Sequence, residues 1–141
     1  MNSVETNEVL NILTVLHSRS LATYLMYAKP WYNGNDDAQE TLELIAEQHR
    51  NTADRLATLI LENGGDVASG EYPMQFTSLH DLGIDYLLKL IIRHQSELVG
   101  QIEHCVEQLS TAPMAKEIAE EILGEAKGHL EALEDLATAG A

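Results

Sequence analysis

The residues best suited to chemistry in this chain are four histidines that stand at helical spacing among apolar residues: His17, His49, His94 and His129. That spacing predicts that each imidazole lies on the inward stripe of a helix. A buried neutral imidazole needs partners for both ring nitrogens, so four in one layer would be costly without a ligand. Because neutral imidazole is the commonest side-chain ligand of transition metals, the four residues predict a metal site inside a helical bundle.

The predicted heights of the four histidines along their helices agree. At about 1.5 Å per residue, His17 and His49 lie about 18 and 20 Å from one end of the bundle. His94 and His129 each lie about 22 Å from the opposite end. In a bundle about 40 Å long, all four rings are therefore expected near the middle. For any single one of them, the ordinary alternative is a core histidine whose nitrogens are satisfied by neighbouring groups.

Three further side chains are expected close to this site. Glu97 lies one helical turn after the third histidine and is predicted as a further ligand or as a hydrogen-bond partner of an imidazole. Glu125 lies one turn before the fourth histidine and is predicted to support it in the same way. Tyr24 lies two turns beyond the first histidine and is predicted to hydrogen-bond the site. The ordinary alternatives are solvated carboxylates for the two acids and a core aromatic for the tyrosine.

Four segments with a period near 3.6 residues must position these groups, and they predict an all-α fold. Turn signals separate the segments at residues 30–35, 63–65 and 110–113. The predicted helices span approximately residues 4–29, 36–63, 79–109 and 114–136 of a single domain that covers residues 1–141.

The connections between these helices predict the topology. The first and last connections are short, so each joins two antiparallel neighbours. The middle linker of about 14 residues spans up to about 45 Å when extended, and a helix of about 28 residues is about 42 Å long. The linker is therefore expected to run the length of the bundle, giving two antiparallel helical hairpins joined by a long crossover between helices 2 and 3.

Composition limits the partners and the compartment. The chain has 23 Asp and Glu against eight Lys and Arg, and its formal net charge is −15. A surface this acidic repels nucleic acid and anionic lipid, so neither is expected as a partner. No apolar run approaches the roughly 18 residues of a membrane span, and the first residues do not resemble a signal peptide, so we expect a cytoplasmic protein. The lone Cys105 excludes an internal disulfide.

Three sets of residues carry a family resemblance: Asn11 to Ala28 with Tyr24; Asp54-x-x-Ala57 ahead of Asn63-Gly64-Gly65; and Glu121-Ile122-Leu123 with Gly128-His129. The first resembles the opening helix of a bacterioferritin, and the second resembles the second helix and crossover of a starvation-protection ferritin (Dps). The third resembles the last bacterioferritin helix. Over nearly its whole length the chain thus resembles the ferritin-like superfamily, which implies a ferritin-like four-helix bundle, iron chemistry and a homo-oligomer.

The resemblance breaks down at the metal ligands. Di-iron sites of the family use a Glu on the first and third helices and Glu-x-x-His on the second and fourth. Here His17 stands at the first Glu position, and Ala46-x-x-His49 and Ala126-x-x-His129 keep the His and lose the Glu. On the third helix, either the histidine or the glutamate one turn later takes the ligand place.

The substituted ligand set changes the expected metal and leaves several functions open. Two bridged ferric ions need several carboxylates, whereas neutral imidazoles suit a single zinc or copper ion or a pair of lower charge. We therefore expect a histidine-rich transition-metal site holding zinc, copper or iron, with redox chemistry on a metal or peroxide as one use, as in a ferroxidase-like oxidoreductase. One alternative is iron storage and oxidative-stress protection in the bacterioferritin or Dps manner. Another is a metal-free helical interaction module in which the histidines form a buried polar layer.

Overall fold

Residues 1–140, which are those that the computed structural model describes, form five α-helices and one 3-10 turn. The helices are α1 (Ser3–Ser18), α2 (Leu21–Ala28), α3 (Asp36–Glu62), α4 (Ile84–Gln108) and α5 (Pro113–Ala139), and the 3-10 turn is Met74–Ser78. Because α1 and α2 together fill the range predicted for one helix, the chain is compatible with a bundle of four helical rods. The all-α prediction is confirmed.

Three of the five helices begin where a side chain can bind a free backbone N–H group. Asn2, Ser20 and Asn35 each accept a hydrogen bond from the third backbone N–H of the helix that follows, namely α1, α2 and α3. Such caps satisfy N–H groups that have no partner within the helix. α5 begins instead at Pro113, which has no N–H to satisfy and a backbone angle already suited to a helix.

The first predicted helix is interrupted after Ser18, which corrects the prediction of one continuous helix over residues 4–29. Ser20 Oγ accepts a hydrogen bond from the Thr23 N–H at 3.3 Å, and Thr23 Oγ1 donates to the carbonyls of Ser18 and Ser20. Local bonds of this kind compete with the helical backbone, so the helix stops and restarts here. The apolar spacing nevertheless continues through buried Leu21, so periodicity alone does not reveal the interruption.

α4 begins at Ile84 rather than at residue 79 as predicted. Met74–Ser78 is the 3-10 turn, and Asp81 has a left-handed φ of 59°, so an α-helix cannot run through this segment. The Trp31 N–H donates to the Leu82 carbonyl at 3.0 Å, and the Ile84 N–H donates to the Trp31 carbonyl at 2.8 Å. The start of α4 therefore lies beside the connection between α2 and α3.

The buried apolar core is divided into two clusters along the bundle. One combines α1 with the C-terminal parts of α3 and α4 and the N-terminal half of α5. The other combines α2 with the N-terminal parts of α3 and α4 and with Leu133 of α5. α1 packs chiefly against α3, and α4 packs chiefly against α5. Between the two clusters, the buried side chains other than that of Ala53 are polar.

The segment between α3 and α4 is bonded to the sides of α1 and α2. Asn11 Nδ2 donates to the Asp66 carbonyl at 2.9 Å. Further along, Arg19 Nε donates to the Ser69 carbonyl at 3.2 Å, and the Tyr72 hydroxyl hydrogen-bonds α2. These bonds hold residues 66–72 against the helices, where part of the segment forms one wall of a cleft.

The surface carries most of the acidic side chains and few ion pairs. Arg55 and Glu121 join α3 to α5 at 2.7 Å, and Lys116 lies 3.9 Å from Glu120 within α5. Exposed pairs of this kind contribute little to stability. Among residues 1–140, no helix combines the length and the apolar character that a membrane crossing requires.

Candidate functional site

Three of the four predicted histidines meet inside the bundle, one from each of α1, α3 and α5. The ring centroids of His17 and His49 are 5.3 Å apart, and those of His49 and His129 are 5.8 Å apart. Their exposed fractions are 2%, 2% and 8% respectively. We call these three residues the histidine layer. His49 is its central member because its ring contacts both of the others.

The histidine layer fills the gap between the two apolar clusters. On each of the three rods, the histidine follows the last buried residue of one cluster and precedes the first buried residue of the other. Interior positions of this kind are normally apolar. The layer is therefore a polar interruption between two apolar clusters.

His17 has its proton position fixed by the backbone. Its Nδ1 lies 2.7 Å from the Leu13 carbonyl oxygen, one turn earlier in α1. Since a carbonyl oxygen only accepts, Nδ1 carries the proton and donates it, which leaves a lone pair on Nε2. Metal-ligating histidines usually have their second ring nitrogen held in this way.

His49 is held by the residue that caps α2. Its Nδ1 lies 2.7 Å from Ser20 Oγ. Ser20 Oγ in turn lies 3.4 Å from Thr23 Oγ1, to which it can donate its own proton. In that arrangement Nδ1–H of His49 donates to Ser20, and the lone pair of the ring is on Nε2.

His129 is held by a side chain of α3. Its Nε2 hydrogen-bonds the Oε1 atom of Gln48. Because an amide oxygen accepts, Nε2 of His129 carries the proton and Nδ1 carries the lone pair. The three rings of the layer thus each have one nitrogen engaged by an oxygen.

Two of the nitrogens that remain are buried without a partner. Among residues 1–140, the buried side-chain nitrogen and oxygen atoms that lack a hydrogen bond are His49 Nε2, His129 Nδ1 and Ser18 Oγ. An unsatisfied buried polar atom costs about 1–3 kcal/mol. Because two such nitrogens lie on neighbouring rings, a group that accepts their lone pairs would remove this cost.

The environment of the layer keeps its rings neutral. Burial is the main cause that lowers the pKa of His17, and the Leu13 carbonyl opposes it. The pKa of His49 is lowered well below its ordinary value, first by burial and then by the repulsion that its protonated form would meet from protonated His17 and His129. Burial also lowers the pKa of His129. Neutral rings have lone pairs free to bind a metal ion.

His94, the fourth predicted member, lies outside these ring contacts. It is half-buried, and its ring centroid is 5.3 Å from that of Phe76. At this height of α4 the inward residue is Gln95, which is 4% exposed and donates from Nε2 to the Ala126 carbonyl at 3.0 Å. Burial lowers the pKa of His94, the charge of Glu97 raises it, and a nearby arginine lowers it further.

The three supporting residues predicted from the sequence also lie apart from the histidine layer. Glu97 is exposed and lines a cleft beside the layer. Glu125 is on an exposed face of α5. Tyr24 is half-buried, and its hydroxyl lies 2.7 Å from Nε2 of His80, so its hydrogen bond leads to the surface instead of to the layer.

Two residues that hold the layer were missed by the sequence reasoning. Ser20 falls inside the first predicted helix, although a serine directly before apolar residues at helical spacing is also an N-cap signal. Gln48 directly precedes His49, and its position in the sequence does not indicate a role in the layer. Only the packing of α3 against α5 brings it to His129.

A cleft of about 330 Å³ opens beside the layer, between α1, α2, α4 and the segment before the 3-10 turn. His49 and Ser20 form part of its wall, so the cleft reaches the central histidine. Polar groups from α4 and from the opposite side complete the wall: His94, Gln95, Glu97, Gln101, Arg19 and Glu71.

The layer offers nitrogen donors without a carboxylate, so it does not fit a carboxylate-bridged di-iron centre but fits a single ion that prefers imidazole. As the side chains stand, residues 1–140 contain no group of three His, Cys, Asp or Glu side chains already arranged around a metal position. No protein-family model matches the chain, and no curated protein matches it.

Proposed function

We propose that this protein binds one transition-metal ion in the histidine layer of a ferritin-like helical bundle. The observation that carries the proposal is the pair of buried nitrogens without a partner, His49 Nε2 and His129 Nδ1. In each ring the other nitrogen is held by an oxygen, which is the usual arrangement of a metal-ligating histidine. His17, with its proton on Nδ1, supplies the third donor through Nε2.

The spacing of His17 and of His129 from His49 is compatible with a shared ion. A zinc–nitrogen bond is about 2.0–2.1 Å long, which puts two ring centroids on the same ion about 5–6 Å apart. The observed separations are 5.3 and 5.8 Å. Binding then requires the rings to turn so that their lone pairs converge, and the terminal side-chain torsion of histidine is soft enough to allow this.

The nature of the donors favours zinc or copper over iron. Three neutral imidazoles leave the charge of a metal ion uncompensated, which suits a single divalent or monovalent ion better than a pair of ferric ions. When bound, such an ion would supply Lewis-acid or one-electron chemistry, while the layer holds it away from bulk water.

The path of the chain supports the ferritin-like crossover. Asn63 Nδ2 lies 3.4 Å from Asn7 Oδ1, so the end of α3 is beside the start of α1. The backbone bonds of Trp31 bring the start of α4 to the other end of the bundle. α4 would then run parallel to α3, as a crossover bundle requires. The family resemblance adds a homo-oligomer, which size-exclusion chromatography with light scattering tests.

The test is to load metal-free protein with Zn(II), Cu(II) or Fe(II) and to measure the retained metal by mass spectrometry. We expect about one zinc or copper ion per chain and a higher Tm, because a ligand that binds only the folded state stabilises it. His49→Gln and His129→Gln should lose both effects, whereas His104→Gln, at an exposed position, should keep them. Equal metal content and Tm in all three variants would contradict the proposal. Uptake of many iron ions per chain would favour storage instead.

Burial of the layer favours a second candidate, a metal-free polar layer in an interaction module. The lowered pKa values of His17 and His49 mean that protonation of the folded layer is unfavourable. Acid would then weaken the bundle without any metal. This candidate is favoured if no metal is retained while the stability still falls below about pH 6.5.

A further inference from the structure

The cleft beside the layer has an inner and an outer part. Its inner wall includes His49, which is 2% exposed and whose Nε2 lacks a partner. Its outer part carries His94 and the exposed side chains of Glu97 and Glu71. The cleft thus reaches the ring of the central histidine, whose buried Nε2 lacks a partner, and this nitrogen is a reason to expect a ligand next to the inner wall.

The charges of the outer part favour a cation. Glu71 and Glu97 contribute two carboxylates against one guanidinium in the wall, that of Arg19, so one negative charge is left in excess. Arg19 Nε donates to the Ser69 carbonyl at 3.2 Å, and its guanidinium carbon lies 5.0 Å from the centroid of the Tyr72 ring. The excess negative charge of the cleft, on a chain whose formal net charge is −15, attracts cations and speeds their arrival.

His94 and Glu97 also provide donor atoms that suit transient binding of a divalent ion. They are three residues apart on α4, so their side chains lie on neighbouring positions of one helix face. An imidazole nitrogen and a carboxylate oxygen together can replace part of the water shell of a divalent ion. Neither side chain belongs to the ring contacts of the histidine layer.

We infer that this cleft is the path by which a divalent metal ion reaches the histidine layer, and that His94 and Glu97 bind it transiently on the way to His49. The inference rests on the proposed function, because it requires a metal that the layer finally holds. It assigns the two α4 residues a kinetic role and leaves the final ligands to α1, α3 and α5.

The experiment measures the rate at which metal-free protein takes up Zn(II), by stopped-flow mixing with a zinc-sensitive dye, and the zinc content at equilibrium. We expect His94→Gln and Glu97→Gln to slow uptake about threefold or more at low ionic strength, with the same final content as wild type. The effect of Glu97→Gln should shrink at high salt, because screening weakens steering by a carboxylate. Glu103→Gln, at an exposed position of the same helix, should leave the rate unchanged.

The outcomes separate the two proposals. Equal uptake rates in wild type and both variants, with zinc still bound, overturn the access path and leave the metal site standing. Loss of zinc at equilibrium in His94→Gln, with circular dichroism unchanged, overturns the path by making His94 a permanent ligand. Absence of zinc binding in the wild type overturns both. Because Glu97 is exposed, its substitution keeps the test decisive if His94→Gln fails to fold.

Discussion

Acid should destabilise the metal-free protein more steeply than an ordinary helical bundle. Burial lowers the pKa of His17, His49 and His129 in the folded state, whereas the unfolded chain keeps pKa values of about 6.5. Below that pH the unfolded chain therefore binds more protons than the folded chain. The stabilisation is fully present above the unfolded pKa and is lost as the pH falls through 6.5 towards the lower folded values.

The size of the effect follows from the two most buried rings. Each histidine that is neutral when folded and protonated when unfolded changes the free energy of unfolding by at most about 1.4 kcal/mol per pH unit. His17 and His49 are both 2% exposed, so together they give a limiting slope of about 2.7 kcal/mol per unit. Between pH 6.5 and 5.5 the loss is about 2 kcal/mol while the folded rings stay neutral. His129, at 8% exposed, adds a smaller share.

The assay is urea unfolding of chelator-treated protein at a series of pH values from 8 to 5, followed by circular dichroism. His49→Leu should reduce the limiting slope by about 1.4 kcal/mol per pH unit, because one titrating ring is gone. It should also raise the free energy of unfolding of the metal-free protein at pH 7.5 relative to wild type, since an unsatisfied nitrogen is removed. His104→Gln, at an exposed position, should follow the wild-type curve. A wild-type midpoint that stays constant from pH 7 to 5.5, or parallel curves for wild type and His49→Leu, would refute the reasoning.

Two further predictions concern the groups around the layer. Gln48→Leu removes the acceptor for Nε2–H of His129, so the Kd for Zn(II), measured against a chelating dye, should rise about 10- to 100-fold; an unchanged Kd would mean that Gln48 does not orient the ligand. Gly70→Ala should lower stability by about 1–3 kcal/mol in urea, because Gly70 has φ +63° and an added Cβ would lie 2.7 Å from Val15 Cγ1. A urea midpoint of Gly70→Ala equal to that of wild type would contradict this packing. The zinc content of the variant, which should be unaltered, is the control.

Periodicity predicts the long helices well and their ends less well. The prediction of 36–63 agrees with α3, and that of 114–136 agrees with most of α5. The predicted start of the third helix is wrong because Asp81 adopts a left-handed backbone conformation, which no pattern in the sequence indicates. The interruption at Ser20 was also hidden, since apolar residues continue at helical spacing on both sides of it.

Spacing likewise predicts some residues of the candidate site and misses others. Apolar neighbours one turn away on each side identify His17, His49 and His129 as inward, and these three rings are in contact. On α4, His94 and Gln95 flank the centre of the apolar stripe almost equally, so spacing cannot choose between them. The choice depends on the Ala126 carbonyl of α5, which accepts from Gln95 and is brought there by tertiary packing.

The helix interruption after Ser18 and the histidine layer are linked through Ser20. Ser20 uses the same oxygen to cap α2 and to hold Nδ1 of His49, and an uninterrupted helix would not present its backbone N–H groups to that oxygen. A core selected only for stability would place apolar side chains between the two clusters and leave no nitrogen without a partner. The chain instead orients three imidazoles by separate hydrogen bonds and leaves two lone pairs unsatisfied at a cost of about 1–3 kcal/mol each. That cost is offset if an ion occupies the layer, which is why substitutions that remove the orphaned nitrogens should stabilise the empty protein and abolish its response to metal.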